Sequence, residues 1–179
     1  VTDRAAAALC AEMLGMAEAA FAQTNDYLKT RVQFGQVLAS FQALQHRMAK
    51  MFTELELMRS VVEGALEAID SGRGNVSQEV SLAKAVAGET LHLVSREMIQ
   101  LYGGIGMTDE HDAGFYLKRA RVLEAMWGNA AWHRERFARL GGIEAGKSCA
   151  VSTFDRLFSS PCGRGKLGTP ACAGASGAG

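Results

Sequence analysis

The sequence predicts an all-α protein: an antiparallel four-helix bundle with short additional helices, followed by a disordered C-terminal tail. Three observations carry this expectation. Apolar residues recur at steps of three and four through most of the first 140 positions, which is the signature of helices with one buried face. The two prolines, Pro161 and Pro170, both fall late, so nothing interrupts a helix earlier. After about residue 144 the composition turns to Gly, Ala, Ser, Cys and Pro without period, and such a segment has too little apolar surface to order itself. The expected organisation is therefore a bundle over 1–143 and a tail over 144–179.

The first helix is expected from Thr2 or Asp3, either of which can serve as N-cap, to Thr30, with Leu9, Met13, Met16, Ala20 and Leu28 on its apolar side. The pattern breaks from Arg31 to Ala39. Ser40 can then cap a second helix whose stripe is Phe41, Leu44, Met48, Met51, Leu55, Met58, Val62, Leu66 and Ile69. Ser71-Gly72-Arg73-Gly74 ends it, and Asn75 with Gln78 forms a capping-box pattern for a third helix. That helix buries Val76, Val80, Ala83, Ala87, Leu91, Val94, Met98 and Leu101, and stops at Gly103-Gly104-Ile105-Gly106. A shorter helix from about Asp109 to Leu123, a break near Trp127-Gly128 and a last helix to about Leu140 complete the pattern. Short connections between long helices predict antiparallel neighbours.

Composition narrows the function classes. The chain has 179 residues, 48% of them hydrophobic, which is one domain's worth of chain with enough apolar mass for a core. Its 19 basic and 19 acidic residues balance, so no overall field recruits nucleic acid or an anionic membrane. The sequence reading finds neither a membrane span nor a secretory signal, and expects a cytoplasmic protein. Cys10, Cys149, Cys162 and Cys172 fit neither a zinc pattern nor a disulfide framework, and His46, His92 and His133 share no ligand spacing, so no metal site is expected. The chain begins at Val1 with helical periodicity already under way, and this suggests a piece that lacks N-terminal domains.

Two stretches have the chemistry of a ligand site. Arg31, Gln33 and Phe34 lie beside Gly35, with Gln42 further on: a cation, two amides and an aromatic face. Such a set suits a nucleotide diphosphate, because guanidinium pairs with phosphate oxygens and amides reach ribose or base. A solvated arginine and a loop-anchoring phenylalanine would look the same. In the second stretch Gln100 precedes Gly103 and Gly104, where glycine either caps the helix or bares backbone to an approaching molecule.

Taken together, Lys29 to His46 and Gln100 to His111 closely resemble the C-terminal helical domain of flavin-dependent acyl-CoA dehydrogenases, a resemblance that runs from about Asp3 to Leu140. It implies a four-helix bundle that makes the dimer contact and grips the adenosine diphosphate part of the neighbouring subunit's FAD. Carried over by position, it makes Arg31 the pyrophosphate contact, Gln33 and Phe34 its companions, Gln42 a second polar contact, and Gln100, Gly103 and Gly104 the surface along the adenosine portion. The implied chemistry is α,β-desaturation of an acyl-CoA thioester in a homodimer or homotetramer that passes electrons to an electron-transfer acceptor.

The sequence departs from the family at the catalytic base. The usual Tyr-Glu-Gly-Thr corresponds to Met126-Trp127-Gly128-Asn129, and the alternative base position falls at about Ala5, so neither site holds a carboxylate. Asn129 stands for the threonine that contacts flavin and can still hydrogen-bond. Of the family's Asp and following Arg near the substrate, Asp3 is kept, position 6 is Ala, and Arg4 lies nearby. Glu124 and Asp3 are the weak candidates for a relocated base, against a salt-bridged role for each. The lost glutamate opens a second reading, a base-less FAD-binding subunit of a heteromeric dehydrogenase. Glu110-His111-Asp112 is expected as a helix start with acids near the positive dipole end, and Lys118, Arg119 and Arg121 as a solvated face.

Overall fold

The computed structural model describes residues 1–72 and 74–143, and the expected tail lies outside the described residues. Among these residues the helices are α1 (Thr2–Thr30), α2 (Gln42–Ser71), α3 (Val76–Tyr102), α4 (Ala113–Ala125) and α5 (Ala130–Leu140). They fall within one compact unit, Val1–Glu144. Between α1 and α2 runs a hairpin of β1 (Val32–Gln33) and β2 (Gln36–Val37), then a 3-10 turn over Leu38–Ser40; a second 3-10 turn, Gly103–Met107, follows α3.

Directions follow from side-chain pairs. Tyr27 near the end of α1 stacks on Tyr102 at the end of α3, ring centroids 4.2 Å apart, so these helices run parallel. Arg47 early in α2 bonds Glu97 late in α3 at 2.9 Å, so α2 runs against both. Gln23 reaches Tyr116 and Glu12 pairs with Arg119, so α4 runs against α1. The result is the up-down-up-down bundle expected of short connections. Its middle is α3, which packs on α1, α2, α4 and α5. The stripe Val80, Ala83, Ala87, Leu91, Val94, Met98 and Leu101 is buried, and so are Ser81, Lys84, Thr90 and Ser95 on its other sides.

α1 is long and apolar enough, by length and composition, to cross a membrane, with a hydropathy of 1.4 over its best window, where the sequence reading finds no such span. Its buried residues, among them Leu9, Met13, Ala17, Ala20 and Leu28, belong to the core that α2 and α3 complete. Alanine at so many of these positions lets helix axes approach closely.

Several local expectations are corrected. Neither Thr2 nor Asp3 caps α1; Val1 is the N-cap and Asp3 turns sideways to Arg136 and Ser77. Ser40 does not cap α2, because its hydroxyl donates back to the Val37 carbonyl at 2.7 Å and Phe41 holds the cap position. The Asn75–Gln78 capping box is absent: the Asn75 amide donates to the Glu79 carboxylate at 2.8 Å. Leu66 points out of the core. The fourth helix starts at Ala113 rather than Asp109, since residues 108–112 form turns and His111 Nδ1 accepts the Ala113 N–H at 3.1 Å. Asp112 holds its N-cap position without a side-chain cap bond, so that acid does sit at the positive end of the helix dipole, while Glu110 lies in the turn before it.

The ion pair between Asp3 and Arg136, 2.6 Å, ties the start of α1 to α5, and the Ser77 hydroxyl donates to the second Asp3 oxygen at 2.6 Å. The Arg136 bond, aided by Ser77 and opposed by burial, holds the Asp3 carboxyl below its ordinary value. A carboxyl lowered in the folded state stabilises the fold above its unfolded value, and this contribution is lost as pH falls through the folded value. Urea titrations should show the native protein losing stability from about pH 4 downward, whereas Asp3→Asn starts about 1–3 kcal/mol less stable at pH 7 and lacks that part of the acid limb. Parallel acid limbs in the two proteins would contradict the pairing.

Candidate functional site

The hairpin places the first motif. β1 and β2 pair in the register Val32 with Val37 and Gln33 with Gln36, leaving Phe34 and Gly35 as a two-residue turn. Both have positive φ, 55° and 79°, as a turn that matches strand twist requires. Glycine adopts this freely, but a phenylalanine there is strained, at a cost of order 1–3 kcal/mol. The gain for the fold is small, since Phe34 is 89% exposed and only meets the edge of the Phe41 ring. Arg31 and Gln33 are exposed beside it, as is Gln42 at the start of α2. The hairpin is anchored by Leu38 N–H to the Arg31 carbonyl, 2.9 Å, and by Gln45 to the Ala39 carbonyl, 2.8 Å.

The Tyr27–Tyr102 stack brings the second motif to the same end of the bundle, because Arg31 follows Tyr27 by one turn and Gly103 follows Tyr102 directly. The Tyr102 hydroxyl donates to the Gln23 carbonyl at 3.0 Å and fixes the junction. The glycines then separate by role. Gly103 has φ 66° and ψ −136°, a conformation that side chains avoid, and a Cβ on Gly106 would lie 2.9 Å from the Ile99 carbonyl oxygen. Gly104 has neither constraint: a Cβ there meets nothing within 4 Å. The fold does not need Gly104, whose exposed backbone is open to another molecule. Gln100 is exposed one turn earlier.

The loop 126–129 lies elsewhere. α4 ends at Ala125, Trp127 takes φ 58° and Gly128 φ 103°, and α5 starts at Ala130. A Cβ on Gly128 would lie 2.8 Å from the Trp132 ring, so glycine is required. The loop hangs on Lys84, 1% exposed, whose ammonium donates to the carbonyls of Leu123 at 3.0 Å, Glu124 at 3.2 Å and Gly128 at 3.1 Å. Lys84 and Gln100 lie about 24 Å apart along α3 at roughly 1.5 Å per residue. Asn129 therefore belongs to a different end of the bundle from the other expected cofactor residues. Its Oδ1 accepts the Trp132 N–H at 2.9 Å as the α5 cap, leaving its amide donors for any ligand.

The weak base candidates are engaged. Glu124 contacts Arg121 at 3.2 Å and lies 3.5 Å from His92 Nδ1 without hydrogen-bond geometry. Asp3 is paired as described, Ala5 offers no proton acceptor, and Trp127 presents an indole that is 51% exposed. Arg4 does not join Asp3: it lines an open groove of about 420 Å³ with Ala7, Ala8, Leu66, Ile69 and Asp70, between α1 and α2. Arg119 pairs with Glu12, and Lys118 lies over the Phe115 ring, so the basic run makes intramolecular contacts. No group of three metal-ligating side chains occurs among the described residues.

Sequence reasoning passed over Lys84 and weighed His133 only as a metal ligand. His133 is buried, and its Nε2–H donates to the Trp127 carbonyl at 3.0 Å. Burial pushes its pKa below the ordinary value, with Lys84 and Arg136 adding to the effect and the carbonyl bond opposing it. A signal was present: Lys84 lies four residues from Val80 and from Gly88, on a face otherwise small or apolar.

The bundle presents an exposed cation, exposed amides and bare glycine backbone at one end. Residues 2–141 match the family described as acyl-CoA dehydrogenase, C-terminal domain, and the chain belongs to it. The chain is 42% identical, over 67% of its length and 36% of the relative's, to acyl-CoA dehydrogenase IpdE2 of Mycobacterium tuberculosis. Among solved structures it resembles butyryl-CoA dehydrogenase of Megasphaera elsdenii, with TM-score 0.74, 28% identity, and coverage of 77% of this chain and 36% of that one. It also resembles a Tcur3481-Tcur3483 steroid ACAD, with TM-score 0.74, 33% identity, and coverage of 78% and 38%. The chain thus spans little more than a third of the length of these relatives.

Proposed function

We propose that the full-length protein is an FAD-dependent acyl-CoA dehydrogenase, and that this chain supplies the dimer contact and the grip on the adenosine diphosphate part of the neighbouring subunit's FAD. The observation that carries the reading is the convergence of Arg31, Gln33, Phe34, Gln42, Gln100 and Gly104 on one end of the bundle, about 24 Å along α3 from the loop 126–129. The donor set fits the cofactor. Arg31 would pair with pyrophosphate, the three glutamines would hydrogen-bond ribose and base, Phe34 would cover a ring face, and Gly103 and Gly104 would admit close backbone approach. When bound, FAD supplies the hydride acceptor for desaturation of the thioester. This chain's own residues at that end bind and orient, and none of them moves a proton.

A second reading has a specific observation behind it. Trp127 stands at the carboxylate position, and Glu124 and Asp3 are held by basic partners. These facts favour a base-less FAD-binding subunit working in a heteromeric dehydrogenase over a homodimer or homotetramer with a relocated base. In either case the electrons pass to an electron-transfer acceptor, and a cytoplasmic location is part of the proposal.

Purified full-length protein should carry flavin and, with its partner subunit present, bleach that flavin anaerobically on addition of an acyl-CoA. Flavin-free protein that takes up no FAD under either condition would contradict both readings.

A further inference from the structure

We propose that Lys84 is a positioning residue: its buried ammonium, together with His133, fixes the 126–129 loop in the conformation that presents Trp127 and Asn129. The step from loop to acyl-CoA site rests on the functional reading above; the loop's dependence on Lys84 does not.

Two of the Lys84 acceptors, the carbonyls of Leu123 and Glu124, are among the last of α4 and lack helical partners, and the third, Gly128, belongs to the loop itself. One cation therefore joins the end of α4 to the start of α5. Its charge is favourable at a helix C-terminus, where the dipole is negative. Between these anchors the Trp127 carbonyl is drawn inward by His133 Nε2 at 3.0 Å. With the carbonyls of 124, 127 and 128 all tied inward, the Trp127 side chain is left outside, and its positive φ follows from that arrangement. His133 Nδ1 has no hydrogen-bond partner among the described residues, so the one hydrogen bond of this ring goes to the loop, while the ring itself is seated against Trp132 at a centroid distance of 4.7 Å.

Burial is the largest influence on Lys84 and lowers its pKa, with the Glu124 carboxylate opposing. Cys10 beside it is pushed up to about 12 by burial and stays a neutral thiol. A buried cation is costly unless its donors are filled, and here all three ammonium protons have an acceptor. A methionine would fill the same space at less desolvation cost, so packing alone does not account for a lysine.

The test is hydrogen exchange on the full-length protein, native and Lys84→Met. The expected result is at least a tenfold rise in exchange of the 123–130 peptide, with peptides of α1 and α2 within twofold of native and flavin content unchanged. No local rise, or an equal rise throughout the bundle, would overturn the proposal. If Lys84→Met does not fold, the native protein decides. In a held loop the Met126 N–H, which donates to the Val122 carbonyl at 3.0 Å, exchanges at least a hundredfold more slowly than free peptide, and a free-peptide rate at Met126 would reject it. The link to the site is read from equilibrium dialysis of butyryl-CoA, whose dissociation constant should rise at least fivefold in Lys84→Met. Unchanged affinity with an opened loop overturns the positioning role. Native protein that binds no thioester counts against the functional reading, and the exchange result then decides the inference alone.

Discussion

Arg31→Ala in the full-length protein is expected to weaken FAD retention by about 1.5–3 kcal/mol, roughly 10- to 150-fold in dissociation constant, because it removes a charge-assisted contact to pyrophosphate. The bundle should be unaffected, since Arg31 is exposed and makes its backbone bonds through atoms the substitution keeps. Gly104→Ala is the sharper companion. A methyl group there meets nothing in this chain, so thermal stability should change by less than about 0.5 kcal/mol, while the cofactor's approach is obstructed. Equilibrium dialysis of FAD against both variants reads the effect. Retention equal to the native protein in both would remove the support for a cofactor contact at this end.

The second large effect concerns the base. A positioned general base commonly contributes 10²–10⁴-fold to turnover, so a carboxylate that has taken over the role reveals itself on neutralisation. Glu124 and Asp3 are spent on Arg121, Arg136 and Ser77, and the Asp3 carboxyl is held below its ordinary value, which makes it a weaker base still. Glu124→Gln and Asp3→Asn are therefore expected to change turnover of the partner-containing enzyme less than about threefold, far below the loss of a true base. Full-length protein without its partner should fail to desaturate acyl-CoA. Loss of a hundredfold or more in either variant would identify the relocated base and restore the self-sufficient enzyme.

Legibility in the sequence followed the length over which a pattern is sampled. The three long helices were readable to within a residue or two, because many turns of apolar spacing average out single exceptions such as Leu66. The hairpin at 32–37 was not, since two-residue strands carry no measurable period and a phenylalanine at positive φ is not a turn signal. Caps failed for a different reason. Ser40 and Asn75 have the right side chains but spend them on neighbours, a choice settled by geometry a residue or two away. The site divided similarly. Arg31, Gln42 and Gly104 stood out as a motif, whereas the meeting of its two halves depends on the Tyr27–Tyr102 stack, which no local pattern announces. Lys84 escaped because a lysine is ordinarily read as solvent-exposed.

The central claim, that this domain grips the cofactor of a neighbouring subunit, is tested most directly by following flavin release and subunit association on the same full-length sample as it is diluted. Sedimentation gives the oligomer, and the fluorescence of freed FAD gives retention. The account predicts that the two transitions coincide, and that Arg31→Ala shifts flavin release to higher protein concentration without shifting dissociation of the apoprotein. Monomers that keep their FAD with native affinity would contradict it.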